Sequence, residues 1–123
     1  MKNLRLLTVS SALIGLLVLG TLMVRAQDIV KVAPKNCKVV LENDRVRLVR
    51  VVTKPGEKLE MHSHPAHVLY CLTSHKVKFT SPDGKAQERE FKAGQAIWSD
   101  AVTHSTEVTG TTESRVLVIE LKK

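Results

Sequence analysis

Short β-type segments follow one another along the chain from about residue 38 to the C-terminus. Many of them are rich in β-branched residues, alternate between apolar and polar positions, or both. The predicted strands are Val39–Glu42, Arg45–Thr53, Leu59–His64, His67–Leu72, Lys76–Thr80, Ala86–Phe91, Gln95–Ser99, Thr103–Val108 and Arg115–Leu121. Turn-forming residues such as Asn43-Asp44 and Ala93-Gly94 separate them. Short strands at this spacing, without a helical period after residue 27, predict an all-β antiparallel sandwich or barrel.

The N-terminal region has a different pattern. A short basic start precedes Leu6–Val24, which carries no charge, and small residues then lead up to Ala26. This pattern is typical of a bacterial-type secretory signal peptide spanning residues 1–26. The alternative is an uncleaved anchor helix, because about 20 apolar residues can span a bilayer. Both interpretations predict a periplasmic or secreted protein, with residues 27–37 as a lead-in and 38–123 as the β-barrel.

Length and charge limit the classes of function. The chain has 123 residues, which is room for one compact domain and excludes a two-domain dehydrogenase, a TIM barrel or a kinase. Its formal net charge is +7, but the cations are dispersed, with Lys122-Lys123 as their only run. Aromatic residues make up 3% of the chain, so a stacking platform for bases is lacking. The sequence therefore predicts no nucleic-acid partner.

The histidines indicate a metal site. His62, His64 and His67 lie within six residues, and side chains two apart on a strand project to the same face. Pro65 ends this strand, so the chain can turn and return His67 over the same pocket. His104 lies at the start of a later strand and can add a ligand from across a barrel. Together the four predict a site for a divalent metal, and imidazole suits Zn, Cu, Fe or Ni.

Glu60, Tyr70 and Trp98 each allow two interpretations, one functional and one structural. Strand alternation predicts that Glu60 shares the face of His62 and His64, where it would act as a ligand or general base; otherwise it is an exposed rim residue. Tyr70 and Trp98 are either pocket-wall residues or, as the more frequent case for a single Tyr and Trp, core residues.

Two cysteines and one further histidine complete the set of reactive residues. Cys37 and Cys71 either form a disulfide in an oxidising compartment or remain thiols, with Cys71 in an apolar run. His75 follows a Thr-Ser pair in a predicted turn beside a lysine, which favours a surface position.

At these residues the chain resembles a small single-domain cupin. The first cupin motif runs Gly, five residues, His-x-His, three or four residues, Glu, six residues, Gly. Gly56, His62 and His64 match it in residue type and spacing. Val68 or Leu69 stands where the motif has Glu, so His67 is the nearby residue that can replace that ligand.

The second cupin motif is matched in part. It runs Gly, five residues, Pro-x-Gly, two residues, His, three residues, Asn. Gly94 begins a copy that reaches His104 one residue early. Asp100 stands in place of the motif proline, and Val108 in place of the asparagine. The resemblance extends over about residues 38–121.

Membership of this family would imply a closed antiparallel β-barrel, the double-stranded β-helix or jelly roll, with a divalent metal (Fe, Mn, Ni, Zn or Cu) held by histidines. It would also imply a small-molecule substrate or ligand, and often a homodimer formed through edge strands such as Val39–Glu42. Cupins have many roles, so three alternatives stay open: a metal-dependent dioxygenase, a non-catalytic module binding a small ligand or sugar around a structural metal, and a metal-handling protein.

Overall fold

The computed structural model describes residues 27–123, which form two five-stranded sheets around a common core. The elements in chain order are β1 (Gln27–Asp28), α1 (Ile29–Val32), β2 (Cys37–Glu42), β3 (Val46–Thr53), β4 (Lys58–His64), β5 (His67–Cys71), β6 (His75–Thr80), β7 (Ala86–Phe91), β8 (Ala96–Ser99), β9 (Val102–Val108) and β10 (Ser114–Leu121). The first sheet has the strand order β1-β4-β9-β6-β7, and the second has β2-β3-β10-β5-β8. The all-β antiparallel prediction is confirmed, and every predicted strand is present with ends shifted by two residues at most.

The start of the described chain closes one end of the domain. β1 pairs with β4, in the only parallel pairing among the described strands. The single helical turn of α1 follows, capped by Asp28, whose side chain accepts a hydrogen bond from the Val30 N–H at 2.9 Å. Ile29 in this turn is 3% exposed and belongs to the core. The segment that the sequence assigns to a lead-in thus packs against the sheets.

The predicted N-terminal hydrophobic helix lies in residues 1–26, outside the residues that the structure describes. Within residues 27–123, none of the helical structure has the length and apolar character that crossing a bilayer requires.

Alternating positions on the central strands build the core. On β10, Val116 and Val118 face inward and pair with Val51 and Val49 of β3, and all four are buried. Complete burial of such a side chain contributes about 1.5–3 kcal/mol. Cys71 of β5 packs into the same cluster as a free thiol.

Cys37 is also a free thiol, partly buried at the edge of the core. Burial raises the pKa of both thiols, that of Cys37 to about 11, so both are protonated at neutral pH. Cys37 and Cys71 are therefore separate thiols, and the disulfide that the sequence left open is not formed between them.

The two glycines that begin the cupin-like motifs have a shared backbone role. Gly56 and Gly94 have φ of 79° and 86°, in the left-handed region where a Cβ is disfavoured. Gly56 turns the chain from β3 into β4. Gly94 turns it from β7 into β8 and donates its N–H to the Cys71 carbonyl at 2.7 Å. Each glycine precedes a strand that borders the candidate site.

Candidate metal centre

Three of the predicted ligands meet at one point of the first sheet. His62 and His64 lie on β4, and His104 lies directly opposite His62 on β9. Their ligand nitrogens are all within 4.8 Å of one another, and the ring centroids of His62 and His104 are 4.9 Å apart. The expectation that His104 arrives from across the barrel is wrong, because β9 pairs with β4 in the same sheet. We call these three residues the histidine trio.

The strand that carries two members of the trio contains a β-bulge. Leu59 pairs with Thr106, but His62 pairs with His104, so β4 has one more residue than β9 between the two pairs. As a result, Leu59 and His62 are both buried, whereas Glu60 is exposed. The prediction that Glu60 shares the face of the trio is wrong, because the extra residue reverses the alternation at that point. Its side chain is outside the cavity.

We expect Glu60→Gln to leave metal content unchanged and stability within about 0.5 kcal/mol of the wild type, as for most surface substitutions. Metal analysis and urea unfolding of the purified variant test this. A large loss of metal would show that the Glu60 carboxylate reaches the site after all.

Main-chain carbonyls orient the histidine rings. His62 Nδ1 donates to the Glu60 carbonyl at 2.6 Å, and His67 Nδ1 donates to the Pro65 carbonyl at 2.8 Å, since a carbonyl oxygen can only accept. With the proton on Nδ1, each Nε2 keeps its lone pair for a metal. The histidine two residues after the carbonyl is thus fixed in a ligating tautomer.

The same carbonyl contact occurs at His75, which the sequence placed on the surface. That prediction is wrong: His75 is 4% exposed, its Nδ1 lies 2.8 Å from the Thr73 carbonyl, and its ring packs 5.4 Å from that of Phe91. It begins β6 instead of lying in the preceding turn, and it is outside the trio.

His67 faces the trio from the second sheet. It is 5% exposed on β5, and its ring centroid lies 4.9 Å from that of His64. It lines the same cavity as the trio, but it is not one of the three residues whose nitrogens group within 4.8 Å. Its role as a further ligand stays a prediction.

A buried carboxylate, that of Glu120, lies behind the trio, and the sequence analysis did not predict it. Glu120 is 2% exposed, and its Oε2 lies 3.9 Å from His64 Nδ1, which has no hydrogen-bond partner among residues 27–123. Its Oε1 accepts hydrogen bonds from Arg47 at 2.6 and 2.9 Å, and Arg47 also pairs with Asp28 at 2.7 Å. A carboxylate behind a ligating histidine orients the ring and raises its basicity.

The lowered pKa of Glu120 supports that role. Burial works to raise the pKa of Glu120, but the neighbouring His64 and Arg47 outweigh it and hold the pKa below its ordinary value. Glu120 is therefore ionised at neutral pH. The inward position of Glu120 could have been predicted from the sequence, since it follows Val116 and Val118 at the two-residue spacing of the inward face.

Burial keeps His62, His67 and His104 neutral. It lowers the pKa of His62 to about 4 and that of His104 to about 3, and like-charge repulsion within the cluster adds to both shifts. The pKa of His67 is lowered for the same leading reason. Neutral imidazole is the form that binds a metal, so these three rings are in the ligating form at pH 7.

Solved structures share this arrangement of two sheets. A cupin domain from Bordetella pertussis matches with a TM-score of 0.66 and 22% identity, over 71% of this chain and 92% of that one. The chain has the cupin fold. An RmlC-like cupin with a double-stranded β-helix fold from Methanocaldococcus jannaschii matches at 0.56 and 14% identity, over 70% of this chain and 78% of that one. KdgF from a Halomonas species matches at 0.52 and 18%, over 71% and 77%. No family model and no curated protein matches the chain.

At the position of the motif glutamate this chain has apolar side chains. Leu69 lines the cavity, whereas Val68 does not. A carboxylate ligand is therefore replaced by an aliphatic side chain, and the nearest polar group on β5 is His67. The donor set of the trio consists of imidazoles alone, which suits Zn, Cu, Fe or Ni better than Ca²⁺.

The trio fits a metal ion. Nitrogens bound at 2.0–2.1 Å to one ion lie about 3–3.5 Å apart, so rings whose nitrogens are within 4.8 Å need to approach only slightly. The unpartnered His64 Nδ1 also agrees with a ring held between a metal and Glu120. The ion would be held by His62, His64 and His104.

The trio lies on the wall of a cavity of about 420 Å³ between the two sheets. Its lining is predominantly apolar, with Val51, Phe79, Phe91 and Val116 among its members. A volume of this size is that of a small-molecule site.

Neither of the two large aromatic residues with polar tips belongs to the core. Trp98 borders the cavity but is 55% exposed, and its Nε1 donates to Asp100 at 3.1 Å. Tyr70 is 38% exposed and is not among the described lining residues. The core reading is wrong for both, because the residues one position earlier, Leu69 and Ile97, take the inward positions.

We expect the metal-free protein to lose stability as the pH falls from 6.5 to 4.5. Folding lowers the pKa of His62 and His104 from 6.5, so the unfolded chain binds more protons in this window. Their contribution is complete above pH 6.5 and is lost as the pH falls towards the folded values. Urea midpoints of chelator-treated protein measure it, with His104→Ala expected to flatten the profile. A midpoint independent of pH over this window would contradict the assignment.

Proposed function

We propose that this protein is a secreted or periplasmic cupin that binds a divalent metal through His62, His64 and His104, and a small organic molecule beside it. The observation that carries the proposal is the position of the trio on the wall of a mainly apolar cavity between the two sheets. The basic, then apolar N-terminal segment supports export. Any membrane contact of the proposed protein is made through that segment alone.

The activity that the site favours is metal-dependent oxygenation of the bound molecule. Three protein ligands leave coordination positions open, and six-coordinate Fe, Mn or Ni keeps open positions even with His67 added. Such a metal supplies Lewis-acid activation and a binding position for O₂. In a dioxygenase both atoms of O₂ enter the substrate, which is itself the reductant. The protein would hold the metal through the trio and offer an apolar wall to the substrate.

Oxygen uptake tests this activity. Protein reconstituted anaerobically with Fe(II) is mixed with air-saturated thiols, diketones and phenolics, and O₂ consumption is recorded with an electrode. We expect uptake with one of these classes, and none with His104→Ala, whose folding is checked by circular dichroism. Absence of uptake with every class would contradict the oxygenase assignment.

One observation favours a second candidate, a non-catalytic module that binds a small ligand or sugar around a structural metal. Among the described residues, no Asp or Glu lines the cavity, so a carboxylate general base is lacking. A ligand that binds in the metal-loaded protein and is recovered unchanged after incubation would support this candidate.

A third candidate, a metal-handling protein, fits the geometry less well. His62 and His64 are 1% and 6% exposed, whereas a site that delivers metal needs access for its partner. Slow exchange of bound metal with a chelator is expected, and rapid exchange would favour metal handling.

As an oligomer we propose a homodimer formed through the edge of the second sheet. β2 is the outermost strand there, and its Val39, Val40 and Leu41 are 39%, 52% and 49% exposed. Exposed apolar edge strands favour pairing with another chain. Light scattering is expected to give a dimer mass for the wild type and a monomer mass for Val40→Lys. A wild-type monomer would contradict the proposal.

A further inference from the structure

The inner face of β7 brings a cation to the cavity. Along this strand Gln87, Arg89 and Phe91 line the cavity, while Glu88 and Glu90 alternate to the outer face. The two glutamates pair across the sheet with lysines of β6. The one positively charged residue of the strand is therefore on the cavity side, where it is solvent-exposed at the rim, and its two negative residues are on the outer face.

Within residues 27–123, Arg89 has no acidic partner. Its guanidinium lies 5.2 Å from the centroid of the Phe91 ring, a cation–π contact that holds it over the cavity wall. In the described part of the chain, Arg89 forms no ion pair. The same cavity is also lined by Lys85, whose carboxylate partner Asp83 lies 3.9 Å away at an exposed turn.

The described lining of the cavity contains no carboxylate. No Asp or Glu occurs among its lining residues in the part of the chain that the structure describes, although acids are frequent on the outer surface. Arg89 and Lys85 are solvent-exposed, so they form a positively charged rim of the cavity. A cleft lined by one sign of charge attracts ligands of the opposite sign, so an anion that enters here meets cations and no carboxylate.

An aromatic path connects this cation to the trio. Phe91 packs edge-on against Phe79 with ring centroids 6.1 Å apart, and Phe79 lies 5.2 Å from the His104 ring. A molecule extending from Arg89 towards the trio would thus lie against two phenylalanine rings. Its polar groups would be at its ends and its apolar part in the middle.

We infer that the ligand of this cavity is a small organic anion, whose carboxylate or phosphate pairs with Arg89 while its apolar body packs against Phe79 and Phe91. The planar guanidinium fork matches either oxyanion with two parallel hydrogen bonds. The inference rests on the proposed function in one respect, the contact of the inner end of the molecule with the metal. Arg89 is a specificity-determining residue in this account.

Matched probes test the charge preference. The probes are phenylacetate, phenyl phosphate and the neutral phenylacetamide, and binding is measured by equilibrium dialysis and by Trp98 fluorescence. We expect the better of the two anions to bind about 10-fold or more tighter than the amide, as a charged hydrogen bond would give. Comparing the two anions shows which oxyanion Arg89 prefers. Equal binding of anions and amide, or no binding of either anion, would overturn the inference.

Variants place the effect at Arg89. Arg89→Met is expected to lose the preference, and Arg89→Lys to retain part of it. The matched control is Arg50→Met, since Arg50 is exposed on β3 and does not line the cavity. It removes the same charge and is expected to bind as the wild type. Equal losses in Arg89→Met and Arg50→Met would overturn the inference, because they would assign the effect to net charge.

The metal and the anion are measured separately. Each titration is carried out with metal-loaded and with chelator-treated protein, and metal content is determined alongside. Anion binding that depends on Arg89 in a protein that retains no metal would support this inference and contradict the metal proposal. Metal that the protein retains, together with no effect of Arg89→Met on anion binding, would support the metal proposal and contradict this inference.

Discussion

His62→Ala and His104→Ala are each expected to reduce the metal content of the purified protein to background. The three rings of the trio hold their nitrogens within 4.8 Å, so removing one leaves two neutral ligands on one sheet. Loss of an outer-shell partner typically weakens metal binding about 10- to 100-fold, and loss of a ligand weakens it further. Elemental analysis after dialysis against a weak chelator measures the effect.

His75→Ala is the matched control. His75 is buried like His62, and its Nδ1 bonds to the carbonyl two residues earlier in the same way, but it lies outside the trio. Its substitution removes the same chemical group from a buried position and is expected to leave metal content unchanged. Equal metal loss in His75→Ala and His62→Ala would show that stability, and not ligation, decides the result.

The second large effect is expected at Glu120. Glu120→Ala removes the partner of Arg47, whose side chain is 17% exposed, and leaves that cation with Asp28 alone. Breaking a buried pair in this way costs about 3–5 kcal/mol. The orientation of His64 is lost as well, so metal affinity is expected to fall about 10- to 100-fold.

Two measurements separate these consequences. Urea unfolding in chelator reports the stability of the metal-free protein, and competition with a chromophoric chelator reports metal affinity. Glu42→Ala removes the partner of Lys122 from a more exposed ion pair and is the control, with an expected change below about 1 kcal/mol. A Glu120→Ala variant with wild-type stability and wild-type metal affinity would contradict the role given to the buried Glu120 carboxylate.

Local patterns predicted the strands and two members of the trio. Alternation along β10 and β3 depends only on neighbouring residues, and the His-x-His spacing places both rings of β4 on one face. His104 was predicted as a ligand too, from its place at the start of a later strand, and its match to the second cupin motif agreed. Its approach from the adjacent strand could not be predicted, because it depends on which strand pairs with β4.

The errors arose where pairing between distant segments decides the outcome. The bulge that turns Glu60 outward exists only because of the register of β4 against β9. Glu120 and Arg47 are 73 residues apart, so no local pattern shows their contact. A charged residue on an otherwise apolar inward face was nevertheless a detectable sign at Glu120.

Anomalous diffraction from crystals of the metal-loaded protein is the most direct test of the metal centre. We expect one strong peak inside the barrel, with ring nitrogens of His62, His64 and His104 each about 2.0–2.1 Å from it. Absence of a peak among these rings, or a fully loaded ion bound elsewhere, would contradict the assignment of the trio as the metal site.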